Sequence, residues 1–243
     1  MRGLEIFKKH FSGYENNYVL IGGTACMMIL EDIGSDFRAT KDLDIVLIIE
    51  KLDREFVNIF WDFIKSGKYE NRFIGKEKGR FYRFEKPGNR NYPAMIELFS
   101  RKPDDLEIEA GVHLIPLNIA YDISSLSAIL LNDDYYDFLR SGIKIIDGVP
   151  VLDEIHLIPF KAKAWCDLRD RQGAGQKGLT KHIIKHLKDI TLLSTLIIEN
   201  TIIKTNGEVY EDMKRFLKEI EKELSDNNFS QYYYNKLIGV FIS

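Results

Sequence analysis

Along the N-terminal part of the chain, apolar residues come in short runs bounded by glycine and aspartate. Val19-Leu20-Ile21 stops at Gly22-Gly23-Thr24, Ala25 to Leu30 supplies helix formers, and Gly34 to Lys41 is irregular. A second apolar run, Ile45 to Ile49, follows Asp42 and Asp44. Runs this short between turn residues read as buried strands. Leu4, Phe7 and Phe11 stand at helical spacing, as do Phe56, Ile59, Phe60 and Phe63 in a stretch opened by Leu52-Asp53 and running to Lys65. From Lys68 to Arg90 basic and aromatic residues interleave in two expected strands joined by a Gly75–Gly79 turn and closed by Pro87-Gly88-Asn89. Ala94 to Phe99 reads as a strand with one charge, Glu97, and Val112 to Ile119 as another. Asp122 to Leu131 reads as a helix, and Asp133 to Leu139 as a helix start ending at Gly142. Asp147-Gly148 then joins Ile143–Ile146 to Val149–Leu152 in a hairpin with a type I′ turn.

From Asp153 the spacing becomes helical and stays so. Leu157, Phe160, Ala164 and Leu168 form one stripe. After a Gly173–Gly178 loop, Ile183, Ile184, Leu187, Ile190 and Leu193 form the buried face expected for a helix from Thr180 to Glu199. An amphipathic helix over Glu208–Leu224 and a final one over Phe229–Phe241 complete the chain; Tyr232, Tyr233 and Tyr234 are expected to pack on the bundle. Strands first and helices afterwards predict an α+β fold: a mixed sheet flanked by helices, then a C-terminal helical bundle. The boundary falls near 152, with a catalytic domain over 1–152 and a helical domain over 153–243 that completes the substrate cleft.

The chemistry gathers in two places. Side chains two apart on a strand share a face, so Asp42 and Asp44 stand together with Leu43 turned away. Two carboxylates so placed repel unless a cation lies between them, and hard oxygen donors suit a divalent ion such as Mg²⁺. Gly22 and Gly23 leave backbone amides open to a phosphate at the N-terminus of the helix that follows. Glu97, flanked by Met95, Ile96, Leu98 and Phe99, needs a partner inside so apolar a strand. It is either a third carboxylate of the same site or one half of a salt bridge to a nearby arginine. Phosphate cradle and carboxylate clamp together point to phosphoryl or nucleotidyl transfer.

Composition narrows the rest. With 34 Lys+Arg against 37 Asp+Glu, the chain exerts no general pull on nucleic acid, which leaves the Lys68–Arg90 stretch as the local basic patch. Cys26 and Cys166 lie in apolar helical contexts, where buried free thiols in a reducing cytoplasm are expected. Met1 to Ser12 lacks the apolar core of a signal peptide, and no apolar run approaches spanning length, so no membrane partner is expected. The acidic run Asp133-Asp134 suits a solvated helix start. His182, His186 and Asp189 have metal-compatible helical spacing, but no Glu follows the first His as a zinc protease would need.

Gly-Gly, a short helix, an Asp-x-Asp strand and a later strand with one acid resemble the nucleotidyltransferase superfamily, whose fold is typified by DNA polymerase β. Within it, GGTAC and Arg38-Ala39-Thr40-Lys41-Asp42-Leu43-Asp44 look like the AbiEii/MenT group, the toxin-type nucleotidyltransferases of paired toxin–antitoxin loci. The resemblance implies a nucleoside triphosphate substrate and two Mg²⁺ ions held by Asp42, Asp44 and Glu97. It implies phosphate contacts from Gly22, Gly23, Thr24, Arg38, Thr40 and Lys41, and an acceptor that is RNA, such as a transfer RNA end, or protein, with a cognate antitoxin as partner. The group's Lys-x-x-Ala motif matches Lys161 to Ala164, with its arginine one position late at Arg169, and Asp189 matches its later acidic residue. Lys163, on the other side of that helix, is expected to pair with Asp167 at i+4. Three other readings stay open: a small-molecule nucleotidyltransferase of the antibiotic-modifying kind, which an acidic acceptor cleft would favour, a nucleotide-binding regulatory protein that transfers nothing, and a plain protein-interaction partner.

Overall fold

The computed structural model describes residues 1–51, 53–71, 82–99, 133–226 and 229–242. The expected Gly75–Gly79 turn, the strand at 112–119 and the helix at 122–131 lie outside these residues. The described chain forms two compact units, one made of residues up to 99 together with 143–152, the other of 133–142 and 153 onward. The fold is α+β.

In the first unit, α1 (Leu4–His10), β1 (Tyr18–Ile21), α2 (Gly22–Asp32) and β2 (Asp42–Leu47) follow one another. After α3 (Arg54–Gly67) come β3 (Glu70–Asn71), β4 (Tyr82–Glu85) and β5 (Met95–Phe99). The hairpin β6 (Ile143–Ile146) and β7 (Val149–Leu152) joins the same sheet, whose order is β3-β4-β5-β2-β1-β7-β6. β2 runs parallel to β5 and antiparallel to β1, so the sheet is mixed. All four residues of β1 are buried, as a central strand covered on both faces requires. The hairpin turn has positive φ at both Asp147 and Gly148, as type I′ demands. Asp53 caps α3 by accepting the Phe56 N–H at 2.7 Å, and Phe56, Phe60 and Phe63 pack with Phe7, Phe11 and Tyr18 in one aromatic core. Ile59 sits at the edge of that face, only partly covered.

The second unit begins with α4 (Asp133–Ser141) and continues with α5 (Glu154–Gly173), α6 (Thr180–Leu196), α7 (Gly207–Ile220) and α8 (Gln231–Phe241). Leu157, Phe160, Ala164 and Leu168 are buried on α5, as their spacing predicts. On α6, Ile183, Leu187, Ile190 and Leu193 are buried, but Ile184 is 48% exposed. The helical repeat carries Ile184 past the edge of a stripe that the other four already fill. Tyr234 is buried and Tyr232 exposed. Among the described residues no helix is long and apolar enough to cross a membrane.

Candidate active site

Register brings the acids together. Asp44 stands opposite Glu97 across the β2–β5 ladder and opposite Ile21 across β1–β2, while Arg83 of β4 faces Glu97 from the other side. Residues paired across neighbouring strands share a face, so Arg83, Glu97 and Asp44 form one row, with Asp42 two residues before Asp44 on the same face. Leu43 and Ile96 point the other way and are fully buried. The acid at 97 therefore faces the Asp-x-Asp pair, and it is also in a salt bridge. Arg83 Nε donates to Glu97 Oε1 at 2.6 Å, and a second guanidinium nitrogen reaches the same oxygen. Of the two readings open for Glu97 the structure shows the salt bridge, and part of the basic stretch serves this carboxylate. Nothing in the spacing singled Arg83 out from its basic neighbours; only the β4–β5 register does.

The row ends at the glycine bend. Gly22 follows Ile21 with φ +67°, and a Cβ placed there would lie 1.9 Å from Asp44 Oδ2. The Asp44 carboxylate thus occupies the space that any other residue at 22 would fill. A Cβ on Gly23 would meet Thr40 Oγ1 at 3.1 Å and an Arg38 guanidinium nitrogen at 3.6 Å, so Arg38 and Thr40 fold over the start of α2. The first N–H groups of α2 have no partner within the helix and face an anion readily. Thr24 does something else. Its hydroxyl is fully buried and donates to the Asp42 carbonyl at 2.6 Å, tying the helix start to the aspartate strand, so only its backbone N–H is left for a phosphate.

Among the described residues, no three His, Cys, Asp or Glu side chains form a group able to hold a metal ion, and the His182–His186–Asp189 spacing makes none. The donors that suit Mg²⁺ are the Asp42 and Asp44 carboxylates, partly exposed on one face beside the glycine cradle. One or two carboxylates with substrate phosphates and water are the usual set for that ion. Arg83 holds Oε1 of Glu97, so Glu97 would join through its other oxygen.

A cavity of about 560 Å³ opens beside Asp42, lined by Arg2, Lys41, Lys86 and Arg90 along with Glu85 and Met95. Arg2 is held there because its Nε donates to the Tyr92 carbonyl at 2.9 Å. Gly3, at φ +77°, lets the N-terminal segment press on Pro93, whose nitrogen a Cβ would meet at 2.3 Å. Arg2 stands outside every motif in the sequence. The Lys86–Arg90 turn is pinned by Gly88 N–H to Lys68 O at 2.9 Å and Asn89 N–H to Gly67 O at 3.1 Å.

In the helical unit Lys161 and Asp189 are 3% and 2% exposed and joined at 2.8 Å. Lys163 pairs with Glu208 and Asp212 of α7 instead of the expected Asp167, because two acids on a packed helix reach it. Arg169 stacks on Trp165 and pairs with Glu223. Burial, then the nearby charges of Lys161 and Lys185, pushes the His186 pKa down to about 3, and its Nδ1 is buried with no hydrogen-bond partner among the described residues. The unfolded chain binds a proton at this residue near 6.5 where the folded one does not, so stability falls as pH drops below that value. A thermal scan from pH 7 to 5 should show a falling melting temperature, and His186→Gln should flatten the slope; an unchanged slope would show that His186 stays accessible.

No family model matches the chain, and no curated protein matches it. Among solved structures, the chain is similar to an antigenic nucleotidyltransferase-like protein from Paracoccidioides brasiliensis. The identity is 15%, covering 97% of this chain and 90% of that one, with a TM-score of 0.49. It is also similar to the antibiotic-resistance factor ANT(2'')-Ia, at 11% identity over 91% of each chain and a TM-score of 0.38. At such identities no residue of either protein is carried over to this chain.

Proposed function

We propose that this chain is a Mg²⁺-dependent nucleotidyltransferase that moves a nucleoside monophosphate from a nucleoside triphosphate to an RNA end. What carries the reading is the row Glu97–Asp44 with Asp42 on one sheet face, abutting a glycine bend whose missing side chain leaves room for the Asp44 carboxylate. When bound, Mg²⁺ would be held by Asp42 and Asp44 and would offset charge on the triphosphate. Backbone N–H groups of Gly22, Gly23 and Thr24 bind phosphate oxygens, while Arg38 and Lys41 neutralise them and the Thr40 hydroxyl, which stands beside Gly23, adds a contact. The acceptor hydroxyl bonds the α-phosphorus, the bond to the pyrophosphate oxygen breaks, and the hydroxyl proton passes to a carboxylate of the row. The AbiEii/MenT likeness of the Arg38–Asp44 run supports the further reading as the toxin of a pair with a cognate antitoxin. It also supports Lys161 as a catalytic cation that neutralises phosphate charge and Asp189 as the residue that orients it, the two being joined at 2.8 Å.

The cavity beside Asp42 bears on the acceptor. Four cations, of which Lys86 is paired with Glu70, against two acids suit a phosphate-bearing acceptor and disfavour the cationic antibiotics of the alternative reading. The test is incubation with each α-labelled nucleoside triphosphate, Mg²⁺ and total RNA. Label should appear in RNA with wild type and vanish with Asp44→Ala. Label that persists in Asp44→Ala would remove that residue from the mechanism, and no labelling by wild type would overturn the transferase reading.

A further inference from the structure

The helical unit holds a second constellation of polar side chains. Ser141 closes α4, Asp153 caps α5 and His156 stands on its first turn. His156 Nδ1 lies 2.8 and 2.9 Å from the two Asp153 carboxylate oxygens, and Nε2 lies 3.0 Å from Ser141 Oγ. A carboxylate only accepts, so in the neutral imidazole Nδ1 carries the proton and Nε2 presents its lone pair to Ser141. The ring is held from two sides. It packs on Phe138 with centroids 4.5 Å apart, and it fills the space of a Cβ on Gly142, which would meet a ring carbon at 2.0 Å. The backbone N–H of His156 also donates to Asp153 at 2.8 Å, so the capping carboxylate serves helix and ring together.

His156 is 7% exposed, whereas Ser141 is exposed and lines a cavity of about 240 Å³. Phe138 and Val209 supply its apolar surface, Lys204 and Asn206 its hydrogen-bond donors, and Asp134 and Asp137 two carboxylates. Those donors sit on an anchored strip. Ile203 N–H donates to Val240 O at 3.0 Å, Thr205 Oγ1 to Phe241 O at 3.0 Å, and Asp134 accepts the Glu208 N–H at 2.8 Å. A nucleophile, a base within hydrogen-bond reach, an acid orienting that base, and donors across a small cavity are the parts that acyl transfer needs.

We propose that Ser141 is an activated nucleophile and that this cavity is a second reactive site, taking small neutral acyl esters. The hydroxyl proton has two acceptors in reach, Nε2 and the Phe138 carbonyl at 2.7 Å; attack uses the first. Ser141 Oγ bonds the ester carbonyl carbon while its proton passes to Nε2. Asp153 then faces an imidazolium, and Lys204 and Asn206 meet the negative carbonyl oxygen. The alkoxide leaves as its C–O bond breaks and takes the proton from Nε2. Water, deprotonated by the same nitrogen, then attacks the acyl carbon; the bond to Oγ breaks, and Ser141 regains its proton as the carboxylic acid departs. A cavity below the usual size of ligand pockets, about 300–1,000 Å³, restricts the acyl group to a few carbons.

The experiment uses the whole chain with p-nitrophenyl acetate, following nitrophenolate release and, by peptide mass spectrometry, the acetylated residue. Acetyl on Ser141 is expected, absent in Ser141→Ala and retained on Ser141→Cys. Release in His156→Gln should slow by about a hundredfold, the scale of a lost general base. Asp44→Ala should acetylate like wild type, so this result stands apart from the fate of the transferase reading. Ser141→Ala removes one exposed oxygen and keeps the fold, so the comparison with this variant is decisive. Acetyl found only on lysine or tyrosine, or equal release by wild type and Ser141→Ala, would overturn the proposal.

Discussion

Gly22→Ala is expected to abolish nucleotidyl transfer as thoroughly as removal of an aspartate, while Gly23→Ala leaves most of it. The two glycines are neighbours, but they do different things. Position 22 sits at φ +67°, where an L side chain costs about 1–2 kcal/mol. The added Cβ would also lie 1.9 Å from Asp44 Oδ2, so the carboxylate has to move. A displacement of about 1 Å at a reacting centre costs about a hundredfold or more in rate. At 23 the nearest atom is a side-chain oxygen, Thr40 Oγ1 at 3.1 Å, which yields by a few tenths of an ångström. Label transfer and melting temperature measured on both variants give the answer. Equal activity of Gly22→Ala and wild type would show that Asp44 is not the group this bend was shaped around.

Lys161→Met is expected to destabilise the helical unit by about 3–5 kcal/mol, the cost of leaving one member of a buried ion pair behind. Asp189 is 2% exposed and accepts from the Lys161 ammonium at 2.8 Å. Lys161→Met with Asp189→Leu should recover most of that loss, because two apolar side chains of similar volume remove both desolvation penalties. Trp165, buried on the same helix, reports unfolding of this unit by fluorescence in a Trp61→Phe background. Additive losses in the double variant would show that the two residues do not hold each other. The same single variants, assayed at temperatures where they stay folded, separate this structural role from the nucleotide role assigned to Lys161.

Much of the fold was legible because short-range rules dominate it. The β1 and β2 runs, the Asp147-Gly148 hairpin and the buried stripes of α3 and α5 each follow from spacing within about ten residues. Ile184 and Lys163 depart from expectation for one reason: what surrounds a helix decides which edge residue is covered and which acid a lysine reaches. Asp42 and Asp44 were readable as a pair because alternation on one strand settles their shared face.

Glu97 was different. Its strand, its charge and its need for a partner stood in the sequence, but two partners were on offer. Only the register of β5 between β2 and β4 places Asp44 on one side of it and Arg83 on the other. Arg2, the closing of Gly22 on Asp44, and Ser141 with His156 belong to the same class. The residues of each set come from segments that helical or strand periods do not relate. Alternation and capping, being local, were set by the order of the amino acids; which side chain fills the space a glycine leaves was decided by packing between distant segments.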